Sequence, residues 1–256
     1  DNRQNITHLN KEQIIKICNR DFLGCDQLIL INNSELSDAS IEFFNSDGGT
    51  SGACGNGTRC VADLIAKESD KKTIILTTES GNLKSEILGE KLVSTEIGIA
   101  KTKWNEIPLS ENLNTKNLNM KIYDLDNKEY VGGTAVNVGN PHIIFFVEDN
   151  ENFDIKKIGP EIEHHKFFPE RCNVTLATIV NKELIKVRVW ERGAGLTKAC
   201  GTAACATAFA AKQNGLASNK VDIEFSTGKL SISIDENNSI QMKGPVSDIK
   251  NIEIKI

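Results

Sequence analysis

The segments ACGNGTRC at 53–60 and ACGTAAC at 199–205 repeat one arrangement, with Cys54 and Cys200 about 146 residues apart. In each, a strand-like run leads through a Gly-bearing turn, and a Cys-Gly pair opens a helical pattern. Self-similarity at this spacing predicts a duplicated domain, since solenoid repeats are far shorter. The second helix constrains the fold most. From about Ala203 to Asn214 it is apolar nearly all round (Ala203, Ala204, Cys205, Ala206, Ala208, Phe209, Ala210, Ala211), with Gly215 as its stop. A helix without a polar face must lie inside other structure.

The rest of the chain supplies strands to enclose such helices. Asn10 is a plausible N-cap for a first helix, with Ile14, Ile15, Ile17 and Cys18 on one face. DQLILI and IEFF read as strands, then a helix with Val61, Ala62, Leu64 and Ile65, then three runs with partial alternation, TIILTT, LKSEIL and KLVSTEIGI. The polar stretch 101–119 contains Pro108, shows no period, and reads as a linker. Beyond it EYVGGTAVNVG and HIIFFV read as strands and 153–159 as a short helix, followed by the strand KVRVWERG, the apolar helix, and VDIEFS, LSISI and SIQMKG.

Composition excludes several classes. With 256 residues, 39% hydrophobic and 25% charged, the chain reads as globular, long enough for two cores. A net charge of −5 without a basic stripe argues against nucleic acid, and no apolar run reaches the roughly 20 residues that cross a bilayer. With no signal-like apolar start, the cytoplasm is the default location. Seven cysteines suit no disulfide framework, and Cys18, Cys25 and Cys172 read as reduced, packed thiols. Cys54 and Cys60 stand too far apart for a Cys-x-x-Cys redox or zinc pair, and no His lies at ligand spacing.

The first N–H groups of a helix lack internal partners and carry partial positive charge. Beside a cysteine they lower the thiol pKa, and they can hold a carboxylate. Two such ends facing each other would grip one α-carboxylate and present a sulfur on either side. That suits inversion at an α-carbon, one thiolate removing a proton while the opposite thiol delivers another, the two titrating as a coupled pair. The α-proton is so weakly acidic that fixed donors in a closed site must stabilise the enolate-like charge. Taken singly, each Cys-Gly pair is more often a tight turn before a core helix, and it is the matched copy in each half that points to chemistry.

FFNSDGGTSGACGNGTRC, GNPH (139–142), RCN (171–173) and ERGAGLTKACGTAACA (191–206) together resemble the diaminopimelate epimerase family in order and spacing, from Asp26 almost to the C-terminus. The resemblance implies a cofactor-independent, metal-free epimerase converting LL- to meso-diaminopimelate for lysine and cell-wall precursors. Cys200 would be the proton acceptor and Cys54 the donor in that direction. Gly55 with Asn56, and Gly201 with Thr202, would bind the reacting carboxylate. Asn45, Asn173 and Arg192 would hold the distal end, Gln27 and Asn140 would line the pocket, and His142 and Glu191 would sit beside the cysteines, Glu191 also touching substrate. On the residues alone, Arg192 and Glu191 could equally be a surface ion pair, His142 a core histidine, and Asn45 and Asn173 turn caps. His164 and His165 read as loop or surface.

The family's usual first strand and G-x-G-N-D-F segment do not precede Asp1, so the sequence reads as clipped by one strand and a pocket residue. Ala203 stands where the family has Gly. The partners implied are the small-molecule substrate and a homodimer, with Lys250 where an aromatic side chain commonly enters the dimer contact. The expected fold is α+β, two similar domains (1–104 and 105–242), each a curved mixed sheet or barrel around a central apolar helix, the strand 243–256 returning to the first and the site in the cleft. The rival readings are a proline-type racemase, a phenazine-pathway isomerase relative (disfavoured because such relatives lack the paired cysteines), a truncated amino-acid-binding protein and, more remotely, a thiol-redox protein.

Overall fold

The computed structural model of the chain describes residues 1–4, 7–25, 27–51, 54–79 and 81–254; Asp26 and Ala53, called above as strand start and motif residue, lie outside them. The chain forms two compact units, Asp1–Glu96 with Gly244–Ile256, and Ile97–Lys243.

In the first unit, α1 (Lys11–Cys18) begins with a capping box, Asn10 and Gln13 each accepting the other's backbone N–H. Ile14, Ile17 and Cys18 are buried, but Ile15 of the expected face turns out to solvent. After it come β1 (Gln27–Asn32), β2 (Ala39–Asn45), β3 (Thr50–Ser51), α2 (Gly55–Ser69), β4 (Thr73–Thr78), β5 (Gly81–Gly89) and β6 (Leu92–Ile99). The sheet order is β1-β2-β4-β5, antiparallel throughout except that β2 and β4 run parallel, joined through α2. Val61, Ala62, Ile65 and Ala66 of α2 pack on Ile41, Phe43, Ile74, Leu76 and Val93.

The second unit comprises β7 (Met120–Tyr123), β8 (Glu129–Gly132), β9 (Thr134–Asn137), β10 (Pro141–Phe146), α3 (Ile155–Glu163), β11 (Asn173–Asn181), β12 (Leu184–Glu191), β13 (Gly195–Thr197), α4 (Gly201–Gln213), β14 (Lys220–Phe225), β15 (Gly228–Ile234) and β16 (Ser239–Pro245). Its sheet runs β9-β10-β11-β12-β14-β15-β16, and β12 and β14 are parallel, joined through α4. The succession β1-β2-β3-α2-β4-β5 is thus reproduced as β11-β12-β13-α4-β14-β15, with the same parallel crossover. Fold class is α+β, built by duplication.

Every residue from Gly201 to Ala211 is buried, among Val136, Ile144, Val187, Ile223, Ile232 and Met242 of the surrounding strands. Alanines let the strands close in on the helix, and burying this much apolar surface outweighs having no polar face to solvate. Ala203 falls inside the first turn, where an L-residue sits without strain.

Three expectations change. The stretch 101–119 is not a linker: Ile107, Leu109 and Leu118 are buried in a second core of this unit, with Ile143, Val174 and α3. β10 and β11 are therefore covered on both faces, which is why HIIFFV reads as a nearly unbroken apolar run. Second, α3 runs past Gly159 and Pro160 to Glu163, because Ile155, Ile158 and Ile162 gain more from burial than the missing Pro160 N–H costs. Third, residues 246–254 form no strand; they rejoin the first unit through Val246, whose N–H bonds Lys91 O and whose side chain enters the α2 core.

Gly159 faces the Trp190 ring, and a Cβ there would lie 2.3 Å from Trp190 Cγ. Helix propensity favours Ala over Gly by about 1 kcal/mol, but overpacking a core costs about 1–3 kcal/mol, so the clash wins. Gly159→Ala should lower unfolding free energy in urea; a gain would show that the ring moves aside at little cost.

Candidate active site

Each crossover helix has a cysteine as its N-cap. Cys54 holds extended backbone (φ −146°, ψ 94°) ahead of α2, and its Sγ accepts the Gly57 N–H at 3.3 Å. The approach depends on the second glycine of the motif: a Cβ on Gly57 would lie 2.4 Å from Ile29 Cδ1 and 3.1 Å from Cys54 Sγ. Thr58 fixes the cap further, its N–H and hydroxyl bonding Cys54 O at 2.8 and 2.9 Å.

Of the first-turn residues, Gly55 is buried and Asn56 half-buried. The Asn56 Oδ1 accepts from Arg59 Nη2 at 3.0 Å, which turns the Asn56 amide nitrogen outward from that pair. Arg59 is itself buried, adding positive charge where the helix already presents N–H groups. Gln27 and Asn45 face each other across β1 and β2, Gln27 Nε2 donating to Asn45 Oδ1 at 3.1 Å. The Asn45 backbone also anchors the Gly48–Gly49 turn.

In the second unit Cys200 caps α4 and is 5% exposed. Its Sγ donates to Glu191 Oε2 at 3.0 Å and lies 3.4 Å from Thr202 Oγ1. Burial, and then the Glu191 charge, push the Cys200 thiol well above its ordinary range, with the Thr202 hydroxyl pulling the other way. The expectation that the helix end would lower this thiol is overturned: desolvation of a thiolate and an adjacent carboxylate outweigh a partial charge. Gly201 and Thr202 are both buried in the first turn of α4.

Three more predicted residues gather at the start of β10 and β11. His142 is fully buried and registers opposite Asn173 in the parallel pair. His142 Nε2 lies 2.8 Å from Asn140 Oδ1, and Nδ1 is buried with no hydrogen-bond partner. Burial, with Arg192 nearby, drops the His142 pKa from 6.5 to about 3. The ring is therefore neutral, Nε2–H donates to Asn140, and Nδ1 offers a bare lone pair. Asn173 donates to Pro141 O at 3.2 Å and accepts the Arg192 backbone N–H at 2.8 Å. The Arg192 guanidinium is on the surface and bonds Glu170 O at 2.9 Å, while the Glu191 carboxylate accepts the Cys200 S–H, so the two adjacent charged side chains have separate partners.

The thirteen predicted positions thus fall into two local sets. Gln27, Asn45, Cys54, Gly55 and Asn56 belong to the first unit, and Asn140, His142, Asn173, Glu191, Arg192, Cys200, Gly201 and Thr202 to the second. Sequence reasoning passed over Gly57 and Arg59. The CGNG spacing contained a signal for Gly57, and an arginine one helical turn after the Cys-Gly pair was one for Arg59. Among the described residues no cluster of three His, Cys, Asp or Glu could hold a metal ion, and no helix is long and apolar enough to cross a membrane.

A family model described as diaminopimelate epimerase matches residues 1–103 and 134–249, leaving out the stretch that brings Ile107, Leu109 and Leu118 to the second core and the β7–β8 hairpin. A diaminopimelate epimerase of Pelagibacter ubique is 66% identical over 256 residues, covering 100% of this chain and 93% of that protein. One from Acidiphilium cryptum is 42% identical over 225 residues, 88% of this chain and 79% of that protein. Among solved structures, a Bacillus anthracis phenazine biosynthesis protein of the PhzF family superposes with TM-score 0.68 at 15% identity, covering 97% of this chain and 90% of its own. A hydroxyproline epimerase from Agrobacterium vitis gives 0.66 at 12%, covering 91% and 76%. Those two likenesses show the fold alone.

A neutral buried His142 makes stability depend on pH. The unfolded chain takes up this proton near pH 6.5 and the folded chain only near pH 3, so between those values the unfolded state binds more protons. Stability is then fully present above about pH 6.5 and falls on acidification by up to about 1.4 kcal/mol per pH unit. Urea unfolding from pH 7 to 4 should fall more steeply for the wild type than for His142→Gln. Parallel curves would mean that the ring is charged or solvated in the folded state.

Proposed function

The chain belongs to the diaminopimelate epimerase family, and on that premise we propose that Cys54 and Cys200 are the two proton carriers of a cofactor-independent epimerisation of LL- to meso-diaminopimelate. The chain is an isomerase acting on a small molecule. Inversion needs a carrier for each face of the α-carbon, and the duplication supplies one from each unit. The observation that carries the assignment is the matched N-cap position of the two cysteines.

Their surroundings differ as their tasks require. Cys200 is a thiol whose proton already points at the Glu191 carboxylate 3.0 Å away. Transfer of that proton to Glu191 leaves the thiolate that takes the α-proton, and excluding water from the site makes the transfer worthwhile only with substrate present. Cys54 delivers the proton in this direction, its sulfur held by the Gly57 N–H. As Cys54 becomes thiolate, that bond strengthens, so the donor is stabilised as it is spent. First-turn N–H groups of Gly55 and Asn56, and of Gly201 and Thr202, receive the reacting carboxylate, where developing negative charge meets fixed donors.

Arg192, with Asn45 and Asn173, reads the distal amino-acid end, and Gln27 and Asn140 hold Asn45 and His142 in place. A proline-type substrate lacks that end and would leave these residues without work. His142 serves as a neutral acceptor through Nδ1. Cytoplasmic location follows from a biosynthetic role in lysine and cell-wall precursor supply.

Chiral chromatography of LL-diaminopimelate incubated with the enzyme should show meso product. Cys54→Ala and Cys200→Ala should each lose on the order of 10²–10⁴-fold or more in rate, the usual reach of one acid–base group. Full activity in either variant would end the two-carrier assignment. Arg192→Lys should cost about 2–4 kcal/mol in kcat/KM, since an ammonium cannot reproduce the guanidinium fork, and far less with lysine, which lacks the distal carboxylate. Equal losses on both substrates would make Arg192 structural.

A further inference from the structure

Glu163, the last residue of α3, is a carboxylate only 3% exposed, and the chemistry above gives it no task. Its Oε2 accepts the indole N–H of Trp190 at 2.7 Å and its Oε1 the backbone N–H of Gly193 at 3.1 Å, with Arg171 Nη1 at 3.8 Å from Oε1. Trp190 and Gly193 are the residues on either side of Glu191 and Arg192. Between them the Arg192 N–H bonds Asn173 Oδ1, and the Ala194 N–H bonds Glu191 O. The turn that ends β12 is therefore held from behind at four consecutive points.

We propose that Glu163 is a positioning residue of the reaction: by accepting the Trp190 indole and the Gly193 amide, it fixes the turn that aims Glu191 at the Cys200 sulfur and presents Arg192. This rests on the assignment of Cys200 and Arg192 made above. The residue type fits the task. A carboxylate offers two acceptor oxygens and no donor, and the turn presents two donors; a glutamine would meet one of them with its own N–H. A buried charge merely filling space would be disfavoured, since an apolar side chain of similar volume packs there as well. The bare Gly159 face that admits the Trp190 ring shows that α3 is shaped around this contact.

The test is Glu163→Gln, nearly identical in volume, with two readouts. The first is kcat/KM for LL-diaminopimelate per folded enzyme, folding being checked by thermal melting. The second, without substrate, is the pH dependence of Cys200 alkylation by iodoacetamide, followed by mass spectrometry of its peptide. The Glu191 charge raises the Cys200 pKa, so a loosened turn shifts alkylation to lower pH. We expect that shift, with a loss in kcat/KM on the order of 10- to 100-fold, the weight of one bond to a charged group. Unchanged kinetics and an unshifted profile would overturn the proposal. So would a lower melting point with both readouts at wild-type values, because Glu163 would then be purely structural. If Glu163→Gln does not fold, Trp190→Phe removes one of the two bonds and is held to the same outcomes. A wild-type enzyme without epimerase activity would sink the functional reading, while the alkylation profile would still decide whether Glu163 aims Glu191.

Discussion

A helix with no polar face has one stable place, inside a sheet that curls round it, and α4 obeys that constraint from Gly201 to Ala211. At its N-terminal end the backbone N–H groups have no partners within the helix. Enclosing the sides of the helix leaves that end to do the polar work of the unit. The residue before it takes extended backbone, and Cys200 holds that position. Unit one repeats the arrangement with α2, which keeps a solvated face bearing Lys67 and so is less completely enclosed.

Electrostatics then decides what each end can do. The partial charge of a helix N-terminus favours a thiolate, yet at Cys200 burial and Glu191 win, and the resting group is a thiol. That outcome suits a base generated on demand: a permanently charged sulfur in a dry site would be costly without substrate, whereas a proton poised on a 3.0 Å path to a carboxylate costs little. His142 shows the same logic with the opposite sign, since burial keeps its ring neutral and leaves Nδ1 as an acceptor. Asn140 and Asn173 bring only neutral hydrogen bonds to this region, so the charges there are few and each is placed by a neighbour.

Much of this was legible in the residues. The matched Cys-Gly turns, the apolar helix and the alternating strands on either side gave the duplication and the α+β class, because burial periodicity and turn glycine act locally. What escaped was set by contacts distant in sequence. The stretch 101–119 shows no period because Ile107, Leu109 and Leu118 reach the core from irregular backbone. The extension of α3 through Pro160 depends on a core that the 107–122 stretch, β10 and β11 build together with it. The direction of the Cys200 shift needs the position of Glu191, nine residues away across a turn, and the burial of Glu163 needs Trp190 and Gly193 to meet it.

The claim that matters most is that two different sulfurs carry the proton in and out. Run in deuterium oxide from LL-diaminopimelate and stopped at early conversion, the reaction separates this from a single shared base. With two monoprotic carriers, the meso product should hold deuterium at the inverted carbon while recovered substrate stays unlabelled, because a proton returned to its original face comes from Cys200 itself. Deuterium in both pools from the first turnovers would show one solvent-exchanging base serving both faces, and would contradict the account.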